Sequence, residues 1–442
     1  MEKKGEQRHG RLVVLVPCPF QGHISPMFEL GTILYCRGFS ITIAHTKFNF
    51  PNPANYPNFS FLPIADHLPE HDVASLDIVS LISYLNGNCE APLLESLSQI
   101  MEKPHTKITC IIYDTLMHYS EAVANRLKLT SIILRTSSVA TLIAYSKFTQ
   151  LQQEGYFPLK EHLLQEMVPV LYPLRFKDLP TIDFASLESL MELTNIIIAK
   201  RSSAIIWNSM DCLEESELAQ HQQQYQVPFF SIGPLYKFAT ASSSSIIAED
   251  TCCITWLDRK TPNSVIYVSL GSLASMTEKE LAEMAWGLAN SKQPFLWVIR
   301  PNSVCGSEWI ELLPKDFKEA VGERGCIVKW APQKEVLAHP AVEGFWSHCS
   351  WNSTLESISE GVPMICRPCF GDQKVNARYV CHVWKVGLEL ENELEREEVT
   401  RAVRRLMVSA EGMEMRQKTI ELKEKVESSM KNGGSSYNSL VK

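Results

Sequence analysis

A histidine stands in the loop after the first predicted strand of this sequence. The strand is predicted at Leu12–Val16, and the loop reads Pro-Cys-Pro-Phe-Gln-Gly-His, ending at His23. Imidazole titrates near neutral pH, which suits a general base. Asp114 follows a second predicted strand at 108–112, and a carboxylate can fix the tautomer of an imidazole. On position alone, however, an N-cap of the following helix is the favoured interpretation of Asp114.

A second group of polar residues follows two predicted strands of the C-terminal half. Gly271 and Ser272 come after a strand at 265–269, and His348 comes after a strand at 341–346. Residues 350–354 open a predicted helix, whose positive end can hold an anion. Ser and Asn are also ordinary helix-capping residues, so capping remains an alternative. No G-x-G-x-x-G follows the first strand and no P-loop motif occurs, which disfavours dehydrogenases and P-loop NTPases.

Short β-branched runs that alternate with longer helical patterns position these loops. Such βαβ units predict an α/β fold with doubly wound parallel sheets, in which ligands bind at the carboxyl ends of the strands. A serine-rich stretch at 240–250 predicts a linker. We therefore predict an N-terminal domain at 1–240, a linker at 241–254 and a C-terminal domain at 255–442. The irregular stretch 152–190 fits a variable pocket wall or a packing layer equally well.

Composition excludes several classes of protein. The 442 residues include 42 basic and 50 acidic side chains, a net charge of −8, which argues against binding to nucleic acid or to an anionic membrane. No apolar run approaches the length of a membrane span. The 13 cysteines are scattered, which favours reduced thiols in a cytoplasmic protein. Cys366 and Cys369 have C-x-x-C spacing, but no matched pair of zinc ligands accompanies them, so buried thiols are the favoured interpretation.

The segment 330–373 resembles, without gaps, the donor-binding box of the plant family 1 UDP-glycosyltransferases. Residues 38–43 and 48–53 are similar to the plant subfamily that includes steviol-glycoside, cytokinin and N-hydroxypipecolate glucosyltransferases. Further motifs of the family occur in order along the chain, at Gln21-Gly-His23, Ile232-Gly-Pro234, Trp256-Leu-Asp258, 264–272, 295–300 and Gly433-Gly-Ser-Ser436.

The resemblance implies a GT-B fold, with two Rossmann-like domains facing a cleft, and a role for each matching residue. Stacking on uracil and reading of its edge are implied for Trp330 and Ala331, and ribose binding for Gln333 and Glu356. Diphosphate binding at the helix start is implied for Ser272, His348, Asn352 and Ser353. Binding of the sugar hydroxyls is implied for Asp372 and Gln373. The implied donor-binding residues are Ser272, Trp330, Ala331, Gln333, His348, Trp351, Asn352, Ser353, Glu356, Asp372 and Gln373.

The same resemblance implies an inverting transfer. His23, oriented by Asp114, would deprotonate the acceptor, which attacks the sugar and yields a β-glucoside. Gln373 fits the pattern of glucose-using members, and Thr136 and Ser137 resemble a stretch that approaches the sugar. We expect UDP-glucose as donor, a small lipophilic plant metabolite such as a terpenoid, flavonoid or hormone as acceptor, no metal, and a monomer. Another UDP-sugar (rhamnose, xylose or galactose) and a non-catalytic UDP-sugar-binding protein are the alternatives.

Two residues depart from the family pattern. Ser350 and Glu343 stand where the family has Gly. Ser350 would cost about 1 kcal/mol if its backbone has positive φ, and Glu343 would be unfavourable if it abuts the sheet or the donor. Family members continue after Gly433-Gly-Ser-Ser436 into a last helix that reaches back to the N-terminal domain, whereas this chain ends at Lys442.

Overall fold

The computed structural model describes residues 11–50, 52–68, 77–104, 106–181, 186–198, 202–224, 227–239 and 245–442. The chain forms two compact units, each assembled from separate stretches. Unit 1 contains 1–158, 182–246 and 432–442, and unit 2 contains 159–181 and 247–431. Residues 241–244 of the predicted linker lie outside the described residues. The contiguous domains at 1–240 and 255–442 stay a prediction.

The described part of unit 1 has one parallel sheet with the order β3-β2-β1-β4-β5-β6-β7. The chain reverses its direction of winding between β1 and β4, which places the loop after β1 beside the end of β4. The strands are β1 Leu12–Val16, β2 Ser40–His45, β3 Phe59–Pro63, β4 Ile108–Asp114, β5 Thr130–Arg135, β6 Ala204–Trp207 and β7 Phe229–Ser231.

Helices cover both faces of this sheet, which is why its central strands are continuously apolar. Val13 and Leu15 of β1 pack into one core layer, and Val14 and Val16 pack into the layer on the opposite face. With α-helices numbered in chain order, those of unit 1 are α1 Gln21–Cys36, α2 Ile78–Asn88, α3 Glu90–Met101, α4 Tyr119–Leu127, α5 Val139–Ser146, α6 Phe148–Gln153, α7 Leu187–Ile198, α8 Asp211–Gln224, α9 Leu235–Phe238 and α18 Ser435–Val441.

The last helix follows the Gly433-Gly-Ser-Ser436 motif and returns to unit 1. Arg37 donates a hydrogen bond from Nη1 to the Leu440 carbonyl oxygen over 2.8 Å, and the Leu440 side chain packs against the core layer that contains Val13. A helix therefore stands in the place where the resemblance implies the last helix of the family.

Unit 2 repeats the same architecture around a second parallel sheet. Its strand order in the described residues is β10-β9-β8-β11-β12-β13. Val265 and Tyr267 of β8 face one core layer, and Ile266 and Val268 face the other. The strands are β8 Val265–Ser269, β9 Phe295–Val298, β10 Gly325–Val328, β11 Val342–Ser347, β12 Met364–Cys366 and β13 Gly387–Glu389.

A capping motif in the sequence fixes the start of one helix of unit 2. At the start of α11, Thr277 accepts a hydrogen bond from the Glu280 backbone while Glu280 accepts one from the Thr277 backbone, a reciprocal capping box. The helices are α10 Cys252–Leu257, α11 Glu278–Ser291, α12 Phe317–Val321, α13 Gln333–Ala338, α14 Trp351–Glu360, α15 Asp372–Arg378, α16 Arg396–Val408 and α17 Ala410–Met430. Among the described helices, none combines the length and the apolar character needed to cross a bilayer.

The irregular stretch predicted at 152–190 is divided between the units. Within unit 2, Arg175 forms ion pairs with Asp178, Glu389 and Glu391 at N–O distances of 2.9, 3.2 and 3.0 Å. These pairs fasten segment 159–181 to the end of β13, so this part acts as a packing layer. Residues 182–185 lie outside the described residues. The predicted fold class, α/β with two doubly wound parallel sheets, is confirmed.

Candidate active site

The reversal of winding between β1 and β4 brings a histidine and an aspartate together in unit 1. His23 lies in the first turn of α1 and Asp114 is the last residue of β4. The Nδ1 atom of His23 is 2.7 Å from Oδ2 of Asp114. The aspartate side chain is fully buried, whereas 27% of the histidine side chain is exposed. The imidazole is therefore held by a hydrogen bond at Nδ1, while part of the ring stays exposed.

Asp114 orients this ring and does not cap the next helix. A carboxylate only accepts hydrogen bonds, so Nδ1 carries the proton and Nε2 carries the lone pair that a base requires. The Oδ1 atom of Asp114 accepts from the Leu116 backbone N–H over 3.0 Å, and α4 begins five residues later at Tyr119. The interpretation of Asp114 as an N-cap is therefore wrong. Thr136 Oγ1 also lies 3.1 Å from Nδ1 of His23.

Glu214 supports the loop that carries Thr136. Its buried carboxylate accepts from the backbone N–H groups of Val139 and Ala140, both over 3.0 Å, at the start of α5. Ser209 Oγ donates a third bond over 2.5 Å. Burial raises the pKa of Glu214 to about 7, against the opposing effect of these bonds. Glu214 reaches α5 from a kink in α8, where its own φ and ψ are −131° and 40°.

In unit 2 the neighbouring strands β8 and β11 place Gly271 against His348. A Cβ atom on Gly271 would lie 2.4 Å from both Cε1 and Nε2 of His348, and the glycine has φ +77°. The absence of a side chain thus lets the ring occupy this position. Burial lowers the pKa of His348 to about 4, so the ring is neutral at cellular pH and can donate one N–H.

The loop after β11 leads directly into α14. Ser350, the N-cap residue, has φ −58°, so no strain arises from replacing the family Gly there. The left-handed conformation falls on Cys349, at φ +63°. Instead of capping the backbone, the Ser350 hydroxyl donates to Ser353 Oγ over 3.1 Å. The helix N-terminus, with its positive dipole end, therefore begins beside His348.

Three predicted ribose and phosphate residues form one hydrogen-bonded group. Gln333, the first residue of α13, donates from Nε2 to Ser353 Oγ over 3.0 Å and to Glu356 Oε2 over 2.7 Å. Tyr267 on β8 donates its hydroxyl to Gln333 Oε1 over 3.3 Å. The amide is thus oriented from both ends, and it presents the carboxylate of Glu356 in a fixed place.

Asp372 and Gln373 begin α15, and both accept hydrogen bonds from neighbouring residues. Gln373 Oε1 accepts from the Cys369 and Phe370 backbone N–H groups over 2.9 and 3.3 Å. Asn376 donates from Nδ2 both to Asp372 Oδ2 over 3.1 Å and to the Cys349 carbonyl oxygen over 3.0 Å. Asn376 therefore joins the start of α15 to the loop that carries His348.

The remaining predicted donor residues differ in how their side chains are placed. Trp330 is half-buried after β10, and its carbonyl oxygen accepts from the Asp250 backbone over 2.9 Å. Ala331 is buried. Trp351 is buried and packs at a tilted angle against Trp384, so its backbone is the part positioned at the helix start. Ser272 and Asn352 are half-buried after β8 and in the first turn of α14.

Glu343 is matched by a partner far along the sequence. Its carboxylate pairs with the Arg416 guanidinium on α17, and Arg416 Nη2 also donates to Asn263 Oδ1 over 2.6 Å. Burial raises the pKa of Glu343 in spite of the attraction of Arg416. The carboxylate lies on β11 near the start of the strand, away from the end that leads to His348. Its departure from the family pattern is therefore compensated by an ion pair.

We expect Arg416→Ala to lower the free energy of unfolding by about 1–3 kcal/mol at pH 7, because it leaves a largely buried charge without its partner. The pKa of Glu343 is raised in the folded protein, so its carboxylate disfavours folding as pH rises, and without Arg416 this effect grows. Urea unfolding should thus show a smaller deficit at pH 5 than at pH 8. Glu343→Gly/Arg416→Ala is the matched control and should recover most of the loss. If Arg416→Ala lowered the free energy of unfolding equally in the wild type and in Glu343→Gly, the two residues would not be coupled.

Sequence reasoning missed Glu214 and Asn376. Asn376 follows Asp372 by four residues, so a helix places both side chains on one face. This spacing could have predicted their hydrogen bond. Glu214 offers no such signal, because Val139 and Ala140 lie on another helix and Ser209 lies five residues earlier in the loop before α8.

Comparison with known proteins relates these sites to a family. Residues 246–418 match the family model described as UDP-glucoronosyl and UDP-glucosyl transferase. UDP-glycosyltransferase 76E11 of Arabidopsis thaliana is 51% identical over 98% of this chain and 97% of its own length. Flavonol 3-O-glucosyltransferase UGT76E12 of the same plant is 51% identical over 100% of this chain and 97% of its own.

One solved structure is similar to this chain over nearly its whole length. Phytolacca americana UGT2, complexed with UDP-2fluoro-glucose and pterostilbene, superposes with a TM-score of 0.82 at 27% identity, covering 99% of both chains. Taken with the two parallel sheets, these likenesses establish that the chain is a UDP-glycosyltransferase of GT-B fold and belongs to the UGT76-type enzymes of plant family 1.

Proposed function

We propose that this enzyme transfers glucose from UDP-glucose to a hydroxyl or carboxyl group of a small lipophilic plant metabolite, with inversion to a β-glucoside. The observation that carries the proposal is the 2.7 Å contact between His23 Nδ1 and Asp114 Oδ2. It leaves Nε2 of a partly exposed imidazole as a base with a defined tautomer.

In the proposed step, the acceptor oxygen forms a bond to the anomeric carbon while the bond from that carbon to the diphosphate breaks. The acceptor proton passes to Nε2 of His23. Asp114 stabilises the resulting imidazolium without taking its proton. UDP departs with the bonding electrons. One displacement of this kind inverts the configuration of the α-linked donor.

The leaving diphosphate is assigned to the residues around the start of α14. Backbone N–H groups and the positive end of the helix dipole favour an anion there, and Ser272, Asn352 and Ser353 offer hydroxyl and amide groups. His348, neutral at cellular pH, donates one N–H. Because these groups meet the negative charge as it develops, we propose a reaction that needs no metal.

The nucleoside and the sugar are assigned to the rest of the box. We propose that Trp330 stacks on uracil beside the Ala331 backbone, and that the ribose hydroxyls bind Glu356 and Gln333. Gln373 Oε1 is engaged by two backbone N–H groups, so its Nε2 group is the donor available for a sugar oxygen. Asp372 complements it as an acceptor.

The names of similar proteins support glucose and a phenolic acceptor. One relative is named a flavonol 3-O-glucosyltransferase, and one solved relative carries pterostilbene with a fluorinated UDP-glucose. Terpenoid and hormone acceptors belong to the same proposal. So do a monomeric state and the cytoplasmic location predicted from the scattered cysteines.

A donor competition tests the proposal. The full chain is incubated with UDP-glucose, UDP-galactose, UDP-xylose and UDP-rhamnose together, and with a panel of flavonols, terpenoid acids and plant hormones. We expect one dominant product that is heavier by a hexose, with glucose identified after sugar release and a β linkage seen by NMR. Dominant transfer of another sugar would replace the proposed donor. UDP binding without any product over the panel would favour the non-catalytic alternative.

A further inference from the structure

A third side chain that can bind a metal ion, the thiol of Cys18, lies beside the His23–Asp114 pair. Cys18 precedes His23 by five residues in the same strand-to-helix loop. Its Sγ atom, a ring nitrogen of His23 and a carboxylate oxygen of Asp114 all lie within 4.8 Å of one another. In the part of the chain that the structure describes, this is the one such group of three His, Cys, Asp or Glu side chains.

The chemistry of the three side chains matches a thiophilic divalent cation. Zn²⁺ and its heavier relative Cd²⁺ bind thiolate, imidazole and carboxylate, with Zn²⁺ contacts of roughly 2.0–2.3 Å. A divalent cation with one thiolate and one carboxylate forms a neutral centre, which lowers the cost of charge in a site where Cys18 and Asp114 are fully buried. The partly exposed ring of His23 provides the side of entry.

We propose that Cys18, His23 and Asp114 form an inhibitory site for a thiophilic divalent cation such as Zn²⁺ or Cd²⁺. Binding forms bonds from the metal to Cys18 Sγ, His23 Nδ1 and Asp114 Oδ2. The thiol proton leaves to solvent, and the imidazole proton moves from Nδ1 to Nε2. No group is oxidised or reduced. Thr136 Oγ1, 3.1 Å from Nδ1, or a water completes the coordination.

Inhibition follows from the change of tautomer. With the metal on Nδ1, Nε2 carries the proton and has no lone pair to accept a proton from an acceptor hydroxyl. The carboxylate that orients the ring is engaged by the same ion. This consequence rests on the proposed function of His23 as base, whereas the binding of the metal does not.

Spectroscopy tests the site independently of activity. Cd²⁺ or Co²⁺ is titrated into the full chain, and the thiolate-to-metal charge-transfer band is followed. We expect one strong site whose band disappears in Cys18→Ser and Cys18→Ala. The affinity should fall by at least about 100-fold, because loss of an outer-shell partner alone costs up to that much. Cys110→Ser is the matched control, because Cys110 is a buried thiol of β4 in the same unit, and it should keep the band. An unchanged band in both Cys18 variants, or no stoichiometric band in the wild type, would overturn the proposal.

Kinetics then tests the consequence. Zn²⁺ should inhibit glucosyl transfer reversibly, with activity restored by a chelator, and Cys18→Ser should be active but at least about 10-fold less sensitive. If metal binds at Cys18 and no transfer occurs under any condition, the function assigned to His23 fails while the metal site stands. Equal sensitivity of the wild type and Cys18→Ser would show that inhibition arises elsewhere.

Discussion

His23→Ala is expected to lower kcat by about 10²- to 10⁴-fold, which is the usual contribution of a positioned general base. The KD for UDP, measured by calorimetry, should stay within about twofold, because the residues assigned to UDP belong to unit 2 and His23 belongs to unit 1. A variant that retains more than a tenth of the wild-type kcat would show that the acceptor loses its proton by another route.

Asp114→Asn separates the orientation of the ring from its presence. Asn keeps the size of Asp but can turn its NH₂ group toward Nδ1, which favours the tautomer with the proton on Nε2, the wrong one for a base. We expect a loss of kcat approaching that of His23→Ala. Asp66→Asn is the control, since the buried Asp66 accepts the Lys47 backbone N–H over 2.8 Å in the same unit. It should alter stability more than kcat.

The central strands could be predicted because burial on both faces leaves a clear pattern. Leu12–Val16 and Val265–Ser269 are continuous runs of mainly β-branched or apolar residues, and the structure places strands at these bounds. Two strands at the sheet edges, β3 and β13, were missed. Phe59–Pro63 is only partly buried and ends in proline, and Gly387–Glu389 has three residues. Such segments pair through the backbone of a neighbour, which their own sequence does not reveal.

The site could be predicted in its residues but not in its contacts. Both interpretations of Asp114 used its position at a strand end, and only the adjacency of β1 and β4 decides between them. The same limit applies to Glu343, whose partner Arg416 lies on a helix that the local sequence cannot relate to β11. The family resemblance supplied roles for the box, while the bonds that orient Gln333 and Gln373 came from the fold.

Gly271→Ala is expected to reduce kcat/KM for the UDP-sugar by about 10²-fold, the scale of a misplacement near 1 Å in a site. Two costs combine at this position. The methyl group would lie 2.4 Å from the His348 ring, and φ +77° disfavours any side chain. Because His348 is fixed by burial among its neighbours, the ring and the loop must both shift. The affinity for UDP should therefore fall together with the rate.

Gly306→Ala is the control that separates backbone strain from the close contact with the His348 ring. Gly306, also in unit 2, has φ +83° but no atom within 4 Å of an added Cβ. It should lose about 1 kcal/mol of stability through its backbone alone and keep its kcat/KM. Calorimetry with UDP and steady-state kinetics on both variants separate the two effects. If Gly306→Ala lost activity as severely as Gly271→Ala, backbone strain would account for both. If neither did, the close approach of Gly271 and His348 would have no part in binding the donor.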